Sequence, residues 1–360
     1  MRKRIYLMRP NVGFEEINAI KGVIQSKFLT EGEITKKFEE AISSYLHSKF
    51  AIATTSATTA LHTAFHCMRV KGKNVLVSDF TFPATALAVL QAGGKPVLVD
   101  VDKETMNVSR AIIEESLDKN TKFLAPVSLF GNPLDRDFYK LKKNNIRIIE
   151  DAATNLGTKI GTKYVGSFAD ATCFSFHPRK IITTGEGGMI TTNDKILSKK
   201  FRSFKKFGQR DTKFLDIGTN YKLSDINSAI GLSQLKKIEK IIKKRQWKAK
   251  IYNEIFSKID FIERQKTTSN SRHTYQSYTC IVSKQGFRNK IMKGLSRYNI
   301  ESQIGTYALH CLPVFKRCPR KGRLNNSEFL YKNSISLPLH EELTNNDQEF
   351  IGRIIKNSLN

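Results

Sequence analysis

The sequence predicts an α/β fold built on a mostly parallel sheet, followed by a smaller α+β domain. Two observations carry that expectation. From residue 50 to residue 150, short apolar runs alternate with stretches of helical periodicity, which is how successive βαβ units read. Around residues 257–272 the chain turns polar and the alternation stops. The expected division is therefore 1–250 for the large domain and 251–360 for the small one. With 360 residues, 40% hydrophobic and 10% aromatic, the chain has enough apolar content to bury both cores.

The elements follow in order. Residues 14–27 place Phe14, Ile17, Ile20, Val23 and Ile24 at helical spacing, and a second amphipathic helix runs from beyond Gly32 through Phe38 and Ile42 to Tyr45. Residues 50–54 read as a strand, and Thr55-Ser56-Ala57-Thr58-Thr59 opens a helix that reaches about residue 70. Strands at 74–78, 96–100, 123–128 and 147–150 alternate with helices from Phe82 to near Gly93, at 109–117 and at 135–145. Strands at 171–176 and 189–192 flank Lys180 and the turn Thr184-Gly185-Glu186-Gly187-Gly188. Helices come next, at 195–207 and in one long stretch from 223 to 256. The small domain reads as strands 274–282 and 334–338 with helices 287–299 and 344–357.

Composition narrows the function classes. No apolar run has the length of a membrane span or a signal-peptide core, so a soluble, cytoplasmic protein with no membrane partner is expected. Five cysteines, odd in number and scattered, fit neither a disulfide framework nor a metal-binding spacing. No metal site is expected. The formal net charge is +27, which suits anionic ligands. The densest lysine stretch, 236–250, reads as the solvated face of a helix, and no RNA-binding aromatic signature or zinc-finger spacing accompanies it. A nucleic-acid partner is therefore not expected.

Four residues share one location, just past strand ends or at the helix starts that follow, where open α/β sheets bind ligands. They are Thr58, Phe82, Asp151 and Lys180. One reading joins them. A lysine desolvated in a cleft can hold a carbonyl cofactor. A carboxylate keeps a pyridine nitrogen protonated, an aromatic ring stacks on the cofactor, and a hydroxyl-rich helix start seats a phosphate. Each residue also has a plain reading: Thr58 as part of a helix cap, Phe82 as a core aromatic, Asp151 as an N-cap and Lys180 as one of 60 basic residues on the surface.

A wider set of segments carries a resemblance. In order they are Ser56-Ala57-Thr58-Thr59-Ala60-Leu61-His62, Thr81-Phe82-Pro83-Ala84-Thr85, Glu150-Asp151-Ala152-Ala153 and Ser175-Phe176-His177-Pro178-Arg179-Lys180. Thr184-Gly185-Glu186-Gly187-Gly188, Asn220-Tyr221-Lys222-Leu223-Ser224-Asp225 and Leu337-Pro338-Leu339-His340 complete the set. Together these closely resemble the DegT/DnrJ/StrS-type sugar aminotransferases, a branch of the aspartate-aminotransferase fold.

The resemblance implies a fold type I enzyme dependent on pyridoxal 5'-phosphate, with a mostly parallel seven-stranded sheet flanked by helices. It implies Lys180 as the Schiff-base lysine and Asp151 as partner of the ring nitrogen. Ser175, Thr58 and the backbone of Ala57 would hold the phosphate, and Phe82 would stack on the ring. Asn220 matches the asparagine that reaches the phosphate from a neighbouring subunit, so a homodimer with shared sites is implied. The implied activity is transamination of a nucleotide-linked keto-sugar, with glutamate as donor, for surface polysaccharide or other glycan synthesis. Alternatives are a sugar dehydratase of the same fold, whose members carry histidine at the position of Lys180, and a cofactor-bound regulator that binds nucleic acid.

Three positions depart from the family pattern. Ala57 stands where glycine is common, and Lys222 where arginine is common. Thr154 stands where Gln or His would contact the ring hydroxyl. Thr154 is shorter, so that contact would run through water or move elsewhere.

Overall fold

The computed structural model describes residues 3 to 358, the side chains of residues 143 and 144 excepted. Its main sheet runs in the order Phe50–Thr54, Gly188–Thr192, Ala171–Ser175, Arg147–Asp151, Phe123–Ala125, Asn74–Ser78, Lys95–Val99, Arg320–Lys321. Gly188–Thr192 is antiparallel to both of its neighbours, and the remaining pairings are parallel. The seven strands expected are present. The two-residue strand Arg320–Lys321 adds an eighth at the edge.

The central strands are buried nearly end to end and mostly apolar because both faces are covered. Val75 and Val77 pack into one buried layer with Leu61, Phe65 and Phe201, while Leu76 between them packs into the other with Phe38, Phe138 and Phe174. Side-chain alternation along a strand makes this split automatic. Parallel pairing also brings the C-terminal ends of these strands to one edge, and the candidate residues cluster there.

Two helical expectations are corrected. The stretch 135–145 forms a 3-10 helix, Arg136–Asn144, that buries Phe138, Tyr139 and Leu141. The long helix expected over 223–256 breaks into Asp225–Leu235 and Ile238–Phe256. Glu16, a buried carboxylate, clasps the two pieces, gathering Ser233 Oγ at 2.8 Å, Gln234 Nε2 at 3.0 Å and Lys237 Nζ at 2.8 Å across the break. Burial alone would raise its pKa. The Lys237 ammonium and the other donors, including the Gly13 N–H, instead hold it down to about 2.

Asp225 shows a second long-range anchor. The helix Glu33–Leu46 begins at Gly32, which has no side chain to cap it. Asp225 supplies the cap, accepting from the N–H groups of Gly32 (2.9 Å), Ile34 (3.2 Å) and Thr35 (2.9 Å) and from Thr35 Oγ1 (2.6 Å). An anion there also meets the positive end of the helix dipole.

The second sheet is antiparallel, in the order Ile262–Arg264, Tyr278–Val282, Ser334–Leu337, Gln303–Ile304. Helices Phe287–Arg297 and Asn345–Asn357 cover it. Residue 250 falls inside the helix Ile238–Phe256. Its first half packs Ile238, Ile241 and Ile242 into the large core, and its second half packs Ala249, Tyr252 and Phe256 into the small one. The chain returns to the large core at Leu309, Phe315 and Leu324. A two-residue pairing, Tyr307–Ala308 against Phe80–Thr81, ties this return segment beside Phe82.

Candidate active site

Lys180 lies in the connection between the antiparallel strands Ala171–Ser175 and Gly188–Thr192. That connection is closed by its own hydrogen bonds. Phe176 N–H donates to Gly187 O at 2.9 Å, Thr184 N–H donates to Phe176 O at 3.0 Å, and Lys180 N–H donates to His177 O at 2.8 Å. Gly185 turns the chain at φ +83°, a left-handed conformation costly for a residue with a Cβ. The result holds Lys180 on a fixed loop. Its amine is enclosed, while part of the residue stays open to a cavity of about 170 Å³.

Burial pushes the Lys180 amine below the ordinary lysine range. Asp151 opposes that shift and Arg179 adds to it. Asp151 is itself 5% exposed, at the C-terminal end of its strand. Its Oδ2 accepts from Thr85 Oγ1 at 2.6 Å and its Oδ1 from the Ala153 N–H at 3.0 Å. Burial raises its pKa. The two hydrogen bonds and the Lys180 charge resist without overcoming that rise. The two groups feel each other, yet no ion pair closes between them among the described residues. A buried carboxylate held by donors but lacking a cation in contact fits a protonated ring nitrogen brought against it.

The strand register assembles a phosphate seat nearby. Gly188 lies opposite Thr54 on one side and Ser175 on the other. The helix Ala57–Cys67 therefore starts beside the end of Ser175's strand. A Cβ on Gly188 would come within 2.3 Å of Ser56 O and 2.7 Å of Ala57 N, so only glycine permits this approach. Ser56 and Thr59 satisfy each other in a capping box. That leaves the N–H groups of Ala57 and Thr58 without an intrahelical partner at a helix N-terminus, where an anion is favoured. Ser175 Oγ accepts a long bond from His177 N–H at 3.4 Å, and its own O–H remains available as a donor.

Phe82 is 62% exposed. Its ring faces the Lys180 cavity and lies 6.2 Å from the ring of Tyr307. Thr154 also lines the cavity, but its hydroxyl donates to Ser128 O at 2.8 Å. Asn220 does not join these residues. It is exposed on the segment after the helix Lys195–Phe204, with its Oδ1 accepting from Lys222 Nζ at 2.5 Å.

The match to known proteins decides the class. A model of the DegT/DnrJ/EryC1/StrS aminotransferase family matches residues 10–356. This chain belongs to that family. The aminotransferase is 32% identical to a UDP-4-amino-4,6-dideoxy-N-acetyl-beta-L-altrosamine transaminase of Campylobacter jejuni, over 95% of this chain and 94% of the relative. It is 32% identical to the GDP-perosamine synthase of Caulobacter vibrioides, over 98% and 96%. The solved structure of PseC from Helicobacter pylori, an aminotransferase involved in the biosynthesis of pseudoaminic acid, superposes with a TM-score of 0.93 at 28% identity and covers 99% of each chain. The fold is that of a type I pyridoxal phosphate enzyme, and the chain is a pyridoxal phosphate-dependent sugar aminotransferase.

Several residues in and around the cavity escape sequence reasoning. Thr85, which fixes Asp151, sits one helical turn beyond Phe82 and reads as an ordinary helix-start hydroxyl. Leu7, Met8, Gln276 and Gln303 line the cavity from both ends of the chain. No local pattern marks them, because tertiary packing alone brings them there.

Proposed function

We propose that this aminotransferase moves an amino group from an amino-acid donor, glutamate, to a nucleotide-linked keto-sugar, releasing 2-oxoglutarate and an amino-sugar. The observation that carries the site assignment is the Lys180–Asp151 pair: a desolvated amine on the cavity and a buried carboxylate behind it that feels its charge, with no ion pair between them. The cofactor, when bound, supplies the electron sink that lets a proton leave the carbon bearing the amino group.

The chain supplies the rest. Lys180 anchors the cofactor and, once displaced by an incoming amine, moves the proton at the donor carbon and later at the sugar carbon. Its depressed pKa keeps a fraction of the amine unprotonated and able to accept. Asp151, fixed by Thr85 and the Ala153 N–H, holds positive charge at the ring nitrogen. Ala57 N–H, Thr58 and Ser175 hold the phosphate, and Phe82 covers one ring face. Thr154 spends its hydroxyl on Ser128, so we assign it a place beside the ring and no direct polar contact.

A second copy of the chain completes the site. Asn220 sits on a segment whose Phe214 and Ile217 are 69% and 86% exposed, and Phe14 and Phe28 are 72% and 79% exposed. Apolar side chains exposed in such number mark an interaction surface. We assign it to a homodimer in which Asn220 reaches the phosphate of the partner's site. The net charge of +27 suits a diphosphate-bearing substrate. The UDP- and GDP-linked names of the relatives support a nucleotide-sugar substrate of either kind, and we assign the amino-sugar to surface polysaccharide or other glycan synthesis. Five free thiols suit a reducing compartment, and we assign the cytoplasm. Among the described residues no helix is long and apolar enough to cross a membrane.

The test is direct. Purified protein carries a yellow cofactor band, and glutamate bleaches it. Adding UDP- and GDP-linked keto-sugars to the bleached protein restores the colour for the true substrate and yields a nitrogen-containing sugar. A colourless protein that takes up no cofactor would end this reading, and a deoxy-sugar product without nitrogen would replace it with the dehydratase.

A further inference from the structure

Among the described residues, the wall of the cavity in front of Lys180 carries positive charge and no negative charge. Lys180 and Arg179 are the charged side chains that line it, beside apolar and neutral polar neighbours. Arg179 is exposed, one residue before Lys180. Its backbone is held on both sides, its N–H donating to His177 Nδ1 at 3.1 Å and its carbonyl accepting from Gln276 Nε2 at 2.8 Å. Its Nη1 donates to Gln303 Oε1 at 2.9 Å, a neutral partner. That bond engages one of the guanidinium's five N–H donors. The nearby carboxylate of Glu186 faces His177 instead, at 3.8 Å. Among the described residues no carboxylate comes within ion-pairing range of Arg179.

We infer that Arg179 receives the anionic group of a substrate entering the cleft, a carboxylate of the amino donor or a phosphate of the nucleotide-linked sugar, and orients it toward Lys180. A planar fork anchored at one nitrogen presents its remaining donors to a carboxylate or phosphate in bidentate geometry. At about 170 Å³ the cavity is smaller than the 300–1,000 Å³ that drug-sized ligands occupy. With the cofactor ring against Phe82, little of that space remains, so the anionic end of either substrate stays at the mouth. Either anion meets the lip where Arg179 stands. The inference rests on the transamination reading above, and it adds the residue that selects charge at the entrance.

The experiment uses Arg179→Gln and Arg179→Lys in the cofactor-loaded protein, with two arms. One arm measures the glutamate concentration dependence of bleaching. The other measures the nucleotide keto-sugar dependence of colour recovery. Calorimetric titration of Lys180→Ala protein with glutamate, UDP and GDP, with and without Arg179→Gln, gives the same affinities without turnover. Loss of charge-assisted hydrogen bonds weakens one arm about tenfold or more in Arg179→Gln. Arg179→Lys recovers only part of it, because the point charge lacks the fork. The arm that falls names the anion. Wild-type affinity in both arms for Arg179→Gln, with the yellow band intact, overturns the inference. A wild-type protein that neither bleaches nor recovers defeats the transamination reading instead.

Discussion

Lys180 and Asp151 stand in a wall closed by the chain's own hydrogen bonds, with Thr85, Ala153, His177 and Gly187 fixing their positions. Asn220 stands on a segment of exposed apolar side chains, and its side-chain bond goes to the half-buried Lys222. The contrast shows where one chain's folding energy can build a site and where it cannot. A desolvated lysine and a buried carboxylate are stabilised only by a wall already formed, so they must come from one folded unit. An exposed asparagine beside uncovered phenyl and isoleucine side chains gains its environment only when another surface covers it.

The largest expected effect tests the wall. Lys180→Ala removes both the anchor and the proton carrier, and turnover falls by about 10⁴-fold or more. Asp151→Asn keeps the shape and the Thr85 bond but removes the charge, at a cost of about 10²- to 10³-fold in turnover. Steady-state kinetics with glutamate and the active nucleotide keto-sugar measure both. A Lys180→Ala protein of near-wild-type activity would place the chemistry elsewhere.

A smaller effect sharpens the other half. Asn220→Ala weakens cofactor affinity by about tenfold, the loss of a hydrogen bond to a charged group. Mixing it with Lys180→Ala under subunit exchange then asks which chain Asn220 serves. If it acts across a dimer, each mixed dimer holds one site with both residues intact, and after random mixing about a quarter of all sites regain wild-type cofactor affinity, read as activity at limiting cofactor. If Asn220 serves its own chain, no site holds both residues and every active site keeps the weakened affinity.

How much of this was legible in the sequence follows the same division. The alternation of apolar runs and helical periods gave the parallel sheet, because strands covered on both faces are mostly apolar. Asp151, Lys180, Thr58 and Phe82 were legible as strand-end residues, although each kept a plain reading until the motifs were taken together. The clasp that Glu16 makes across the break at Lys236–Lys237 was hidden because Glu16 lies far away in sequence. The cap by Asp225 on the helix Glu33–Leu46 was hidden for the same reason. Arg179 was visible within a quoted motif, but nothing local showed that its guanidinium would lack a carboxylate. The position of Thr154 was readable as a departure, whereas the turning of its hydroxyl to Ser128 O required the fold.

The smallest effect is a stability difference in cofactor-free protein, and its sign follows from the burial of Lys180. The folded-state pKa of its amine lies below the ordinary value of 10.5. Below that folded value both states carry the proton, and the folded state bears the full cost of a desolvated ammonium. Between the folded value and 10.5 the unfolded chain binds a proton that the folded chain has released, so stability rises with pH across that window. Lys180→Met removes the group, so the cofactor-free variant is more stable than wild type at neutral pH, and the gap closes as pH approaches 10.5. Denaturant unfolding of both proteins at a series of pH values reads the gap, and taking the difference removes alkaline effects common to the two. Asn220→Ala, exposed and uncharged, leaves the same pH profile as wild type. A gap for Lys180→Met that stays constant with pH would mean that the amine is hydrated in the folded chain, and the contrast between the two halves of the site would then lose its electrostatic basis.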